Sequence, residues 1–520
     1  MTKKYDSIVI GGGHNGLVCA AYLAKAGQKV IVLEANEKVG GMAITSELGG
    51  VKVPTVAHIA RAVHPKVIKD LGLNIEIAKA NIPMIALNTD GQHLKFKGDQ
   101  VSGMNGAIVS AEDIKGYKSV HRNLQRFAKF LSPMMEAKAP KLKNRDREDT
   151  WNLIKLGVKL RLLGKQDMQE FLRIALLNIG DLLEDNIDNK QLIGAAAMDA
   201  CWGTHLAPRS PGSVLTAMYR ETGDMKGTRG AAHIVKGGMG NITDKLLKIC
   251  TDLGVNVQTN AKVSKIVVED DCVKGVELDG GEIITAENIS SNADPRRTML
   301  DMVGAEHLDI NFTRRINNIR DKGDTAKVNL VLDRLPSFKG LSEEDLKARL
   351  LVCPDILYAE HAFNHCKYGE MAAKPALEIT IPSVSDSSLV NDGKHVMSIV
   401  AQYAPYKLKA GWSEDTRNQL FENVIKVLEQ YAPDIRECID VSETLSPADI
   451  AKRFNNSGGH WHHVEMQVDQ MLMNRPIHGA AQYNTPIEGL YLCGAGAHPG
   501  GNVTGVPGMN AAKRILSQKK

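Results

Sequence analysis

The chain has 520 residues, 43% of them hydrophobic and 24% charged, the balance of a folded globular protein with room for more than one domain. Its net charge of +4 at pH 7 gives no whole-molecule field for gripping nucleic acid. Eight cysteines are scattered without a CxxC pair, which excludes a local redox dithiol and a clustered zinc site and suits a reducing compartment.

The first element, Lys4–Ile10, reads as an apolar strand running into Gly11-Gly12-Gly13-His14-Asn15-Gly16. Gly11 permits the tight turn, Gly13 lets the backbone approach a pyrophosphate, and Gly16 lets the following helix pack close to the strand. That helix, about 15–26, turns its N-terminal amides and positive dipole end toward the phosphates. A second apolar strand, 29–33, ends at Glu34, a carboxylate placed to accept hydrogen bonds from ribose hydroxyls. Strand, turn, helix, strand and acid in that order predict a bound dinucleotide. Gly40-Gly41 offers small backbone to a second phosphate or the sugar, which moves the choice from a nicotinamide cofactor to FAD. The nucleotide fold starts within a few residues of Met1, so no signal or transit peptide is expected, and no apolar run is long enough to span a bilayer. The expected location is cytoplasmic.

Residues 76–224 look mainly helical in the middle, and 138–165 is their most basic stretch. There Lys155 and Lys159 recur at helical spacing, with Trp151 and several Leu on other faces. Such a helix either lies in a lipid interface, giving peripheral membrane contact, or is a packed lid with solvated lysines, the preferred reading.

The nucleotide-binding signal resumes at 234–240, followed by a helix over 242–253 and strands over 255–257 and 263–268. A hairpin over 273–284 turns at Asp279-Gly280-Gly281, and the block ends at Asn292-Ala293-Asp294-Pro295. The glycines near Gly237 lack the GxGxxG spacing, so no second dinucleotide site and no integral NAD(P)H domain is expected. Residues 327–332, 376–381 and 396–403 read as strands of the substrate side, and 489–496 as a strand into a glycine turn before a terminal helix. The three separated nucleotide blocks predict one α/β, Rossmann-like FAD-binding domain, 1–75 with 225–300 and 456–520, interrupted by an α+β substrate domain, 76–224 with 301–455.

These blocks resemble the FAD-dependent phytoene desaturase, carotenoid isomerase and retinol saturase group, itself part of the amine-oxidase-like flavoprotein class. The resemblance is carried by Gly11 to Gly16 with Glu34 and Gly40-Gly41, by Gly237-Gly238-Met239-Gly240 through Pro295, and most specifically by Gly494-Ala495-Gly496-Ala497-His498-Pro499-Gly500-Gly501. Val331 to Phe338, Gln402 to Tyr406 and Asp469-Gln470 are similar to one branch, the pyridine nucleotide-disulfide oxidoreductase domain-containing proteins of mitochondria and their bacterial relatives. The chain departs from that branch's name in having no CxxC, so thiol chemistry is not supported, and it is expected to lack the presequence that the branch's location needs.

The resemblance implies a cofactor set of Gly11, Gly12, Gly13, His14, Asn15, Gly16, Glu34, Ala35, Gly40, Gly41, Met42, Val263, Gly494, Ala495 and Val503. Val263 would pair its backbone with the adenine. Ala495 stands where many related flavoproteins carry an acid, so backbone amides must serve there. The terminal helix would point the amides around 502–505 at the flavin pyrimidine edge, with Pro507 in its first turn.

Candidate acid or base residues are His463, His498, His58 and His64, in that order. A histidine that merely hydrogen-bonds its own loop is the favoured alternative for His498. Gly458-Gly459-His460-Trp461-His462-His463 with Glu465 invites a metal reading, but a flavin-facing or substrate-facing loop is preferred and no metal is expected. The expected protein is an FAD-dependent oxidoreductase that desaturates, saturates or isomerises a carbon–carbon bond of an apolar, isoprenoid-like small molecule, with oxygen or a quinone as electron acceptor. Two alternatives stand beside it: a regulatory or partner-binding flavoprotein without rapid turnover, and an amine oxidase.

Overall fold

The computed structural model describes residues 4–391 and 393–518. Its first sheet runs in the order Asn256–Gln258, Val30–Leu33, Lys4–Ile10, Ile283–Ser291, Cys272–Leu278, Val263–Glu269. The first four strands are parallel, and the last two add an antiparallel meander. Ile8, Val9, Ile31 and Val32 are fully buried, as expected of central parallel strands that carry helices as cover. The first helix, His14–Lys25, makes the crossover between the strands at 4–10 and 30–33.

Leu490–Leu492 then returns, almost a full chain length later, to pair in parallel with Ile289–Ser291. The terminal helix, Val506–Gln518, packs on the first helix so closely that a Cβ on Gly508 would lie 2.0 Å from the Asn15 carbonyl oxygen. Only glycine fits there. Pro507 falls in the first turn of this helix, where its missing N–H costs nothing.

The second sheet has eight strands, in the order Ile439–Leu445, Thr325–Leu332, His395–Gln402, Ala376–Thr380, Arg349–Val352, Met84–Ala86, Leu94–Lys97, Gln100–Gly103. One face supports helices Ala111–Glu136, Ile179–Glu184, Lys190–Met198 and Ser213–Glu221, and the other supports Glu414–Leu428. Every residue of Thr325–Leu332 is buried, Lys327 and Asn329 included. The three- and four-residue strands at 84–86, 94–97 and 349–352 escape sequence reading because they are too short for a period to register. No described helix is long and apolar enough to cross a membrane.

Candidate functional site

The sheet's strands end on one long cavity enclosing about 1660 Å³ of empty space, part of it open to solvent. Gly11, Gly13, His14, Asn15, Glu34, Ala35, Gly40, Gly41, Met42, Val263, Ala495 and Val503 line it, whereas Gly12, Gly16 and Gly494, expected in the same set, are not among its lining residues. A Cβ on Gly16 would lie 2.1 Å from the Gly11 carbonyl oxygen, so the helix can start only where a glycine lets it touch the turn. The second glycine pair reaches the same place, because Gly40 N–H donates to the Gly12 carbonyl at 2.8 Å.

This end of the cavity fits a dinucleotide on its own geometry. The first helix has no side-chain N-cap and no acidic residue in its first turn, leaving its amides and dipole uncompensated. His14 Nε2 and Asn15 Oδ1 are buried without a hydrogen-bond partner. Glu34 accepts from the Gly12 and Asn36 amides, at 2.8 and 2.9 Å, which fixes its carboxyl at the cavity edge. Burial raises the Glu34 pKa, and the backbone donors from Asn36, Gly12 and Ala35 oppose that rise. Asn292 ties the parts together: its amide donates to Ile10, its side chain to Gly11, and a Cβ on Gly494 would lie 2.7 Å from its carbonyl. The motif ending in Asn292 to Pro295 thus contains a positioning residue that spacing alone did not single out.

The histidines divide. His463 lines the cavity, with Nδ1 unpartnered, but burial pushes its pKa down to about 3, with Arg475 and His460 adding repulsion. It is neutral at ordinary pH and poorly matched to carrying a proton there. His498 is not in this cavity. It is buried in a second one, beneath the helix Arg147–Leu162, and its Nε2 bonds the Met134 carbonyl at 2.9 Å. The expectation of a catalytic His498 is therefore corrected, since its ring lies outside the flavin cavity and ties its loop to the end of the helix Ala111–Glu136. His64 caps the helix Pro65–Leu71 and lies 3.4 Å from Glu136, also away from the cavity. In the histidine-rich loop, His460 Nε2 pairs with Glu465 at 3.3 Å while Glu465 also accepts the His205 and Met466 amides.

His58 does line the cavity, with Glu378 2.9 Å from its Nε2. Behind them Lys327 is fully buried with Nζ unpartnered, and burial lowers its pKa to about 7. Burial alone would raise the Glu378 carboxyl, but Arg349 and His58 hold it well below the usual range. Arg61, Trp202, Arg220 and Trp461 complete this inner end, and Met42, Val56, Phe454 and Trp461 join in one apolar wall. Sequence reasoning missed Lys327, Arg220 and Glu378, the available signal being a charged residue inside an otherwise apolar strand or helix.

The family profile described as "Flavin containing amine oxidoreductase" matches residues 16–516. Pyridine nucleotide-disulfide oxidoreductase domain-containing protein 2 of Mus musculus is 31% identical, over 100% of this chain and 94% of its own. The lycopene-forming phytoene desaturase of Pantoea ananas is 25% identical, over 96% of each chain. Putrescine oxidase bound to putrescine superimposes with a TM-score of 0.62 at 14% identity, covering 100% of this chain and 99% of that one.

Proposed function

Because the chain belongs to the flavin-containing amine oxidoreductase family, whose cofactor is FAD, we propose that it desaturates, saturates or isomerises a carbon–carbon bond in a largely apolar substrate. The observation that carries this reading is the continuity of one cavity from Glu34 and Val263, past the glycine turns, to the apolar wall of Met42, Val56, Phe454 and Trp461. When bound, FAD supplies acceptance or return of a hydride. The apolar wall excludes water from a hydrocarbon beside it. Lys327, titrating near neutrality behind Glu378 and His58, is the group suited to holding a proton at that end. The described lining holds no cysteine. Likeness to phytoene desaturase supports the carbon–carbon reading, and oxygen or a quinone would take up the electrons.

The test is the visible spectrum of the purified protein under anaerobic conditions, before and after a lipid extract of its source cells is added. Bleaching of an oxidised-flavin band, with one lipid consumed, is the expected result. Bleaching by a diamine but not by lipid would favour an amine oxidase, and a band that neither bleaches would favour a regulatory flavoprotein.

The same reading extends to an anionic lipid surface. In the helix Arg147–Leu162, Trp151, Ile154, Val158 and Leu162 form one stripe and are 58, 47, 52 and 78% exposed. Lys155, Lys159 and Arg161 flank that stripe, the arrangement of a helix lying in an interface.

A further inference from the structure

We propose that the substrate is an amphipathic carboxylic acid, its carboxylate held by Arg220 and Arg61 at the inner end of the cavity. This rests on the reading of that cavity as the site for flavin and substrate together.

Arg220 stands at the end of the helix Ser213–Glu221 and lines the cavity. Its Nη2 donates to the Trp202 carbonyl, and no carboxylate among the described residues lies within ion-pair distance. Burial lowers its pKa to about 10, which still leaves it charged at neutral pH. Arg61 reaches the Gly230 carbonyl at 3.3 Å and sits 3.6 Å from Asp199, with Nε and Nη2 lacking hydrogen-bond partners.

Apart from the Asp199–Arg61 ion pair, the neighbouring acids take their hydrogen bonds from other groups. Asp199 takes Arg349 at 2.6 and 2.9 Å, and Glu378 takes Arg349 at 2.6 Å and His58 at 2.9 Å. Glu221 accepts from Gln125, and burial raises its pKa toward the neutral form. Beside the two guanidinium groups, the indole N–H groups of Trp202 and Trp461 are also buried without partners.

Arg and Trp side chains donate and never accept, so the unmet hydrogen bonding of these four side chains is all of one kind. A group that only accepts, carries negative charge and is planar answers it: a carboxylate. The adjoining wall of Met42, Val56, Phe454 and Trp461 takes the hydrocarbon. An ammonium in the same place would face two buried guanidinium charges and a set of donors it cannot satisfy. The inner end therefore selects an acid against an amine of equal length.

Dodecanoate, dodecanol and dodecylamine, titrated into the flavin-loaded protein and followed by the visible flavin band and by calorimetry, test this. Dodecanoate is expected to bind saturably and about ten-fold or more tightly than either analogue, and Arg220→Met to remove that preference while keeping full flavin content. Arg220→Lys keeps the charge without the fork and should recover only part. Equal or tighter binding of dodecanol or dodecylamine to the unaltered protein would overturn the proposal without any variant. Loss of flavin from a folded Arg220→Met protein would assign Arg220 to the cofactor instead and also overturn it. A protein purified without flavin would sink the parent reading, whereas a flavin-loaded protein indifferent to dodecanoate would sink the acid alone.

Discussion

Arg475 is wholly buried, and backbone carbonyls answer its charge where a carboxylate usually would. It donates to His462, Val464, Glu465, Gln470 and Ala495 at 2.7 to 3.2 Å, tying the histidine-rich loop to the flavin turn. Arg475→Met leaves those carbonyls buried and unpaired, and should cost about 3 kcal/mol or more of stability together with flavin retention, read by thermal unfolding and flavin content. Lys327 acts through its proton. Its pKa falls from 10.5 to about 7 on folding, so between those values the unfolded chain binds more protons and stability rises with pH. Lys327→Met removes that slope: compared as holoproteins by denaturant unfolding, the variant should gain on the parent below pH 7 and lose the gain toward pH 10. A difference that stays constant across that window would show that Lys327 has an ordinary pKa. His463 ranked ahead of His498 as letters in the chain, and the structure separates them further, one lining the flavin cavity and the other a neighbouring one.

At the scale of elements, the strand–turn–helix at 4–25 forms where the sequence places it, because its determinants are local: an apolar run, three spaced glycines and an uncapped helix start. The helix Arg147–Leu162 differs in kind. Leu156, Leu160 and Leu163 are packed on the helical core, so the chain spends one apolar face inward and still exposes another. The packed-lid reading accounts for the inward face, and the lipid proposal rests on the exposed one. Flotation with anionic vesicles should carry the protein upward, and Trp151→Ser with Leu162→Ser should leave it at the bottom with unchanged flavin content. Flotation that is indifferent to both substitutions would place any lipid contact elsewhere.

For the whole molecule, one sheet is assembled from 4–33, 256–291 and 490–492, and a second carries the substrate side on strands from 84–103 and 325–445. Composition, the glycine spacing and Glu34 by themselves determined the Rossmann-like fold and its FAD, since each signal spans a few residues and rests on backbone geometry and period. The inner end of the cavity was decided by tertiary structure alone. His58 meets Glu378 across 320 positions and Arg349 meets Asp199 across 150. No local pattern fixes such pairs; strand register and helix packing do, and they bring Arg61 and Arg220 to the inner end of the cavity, with Lys327 buried and unpartnered behind it.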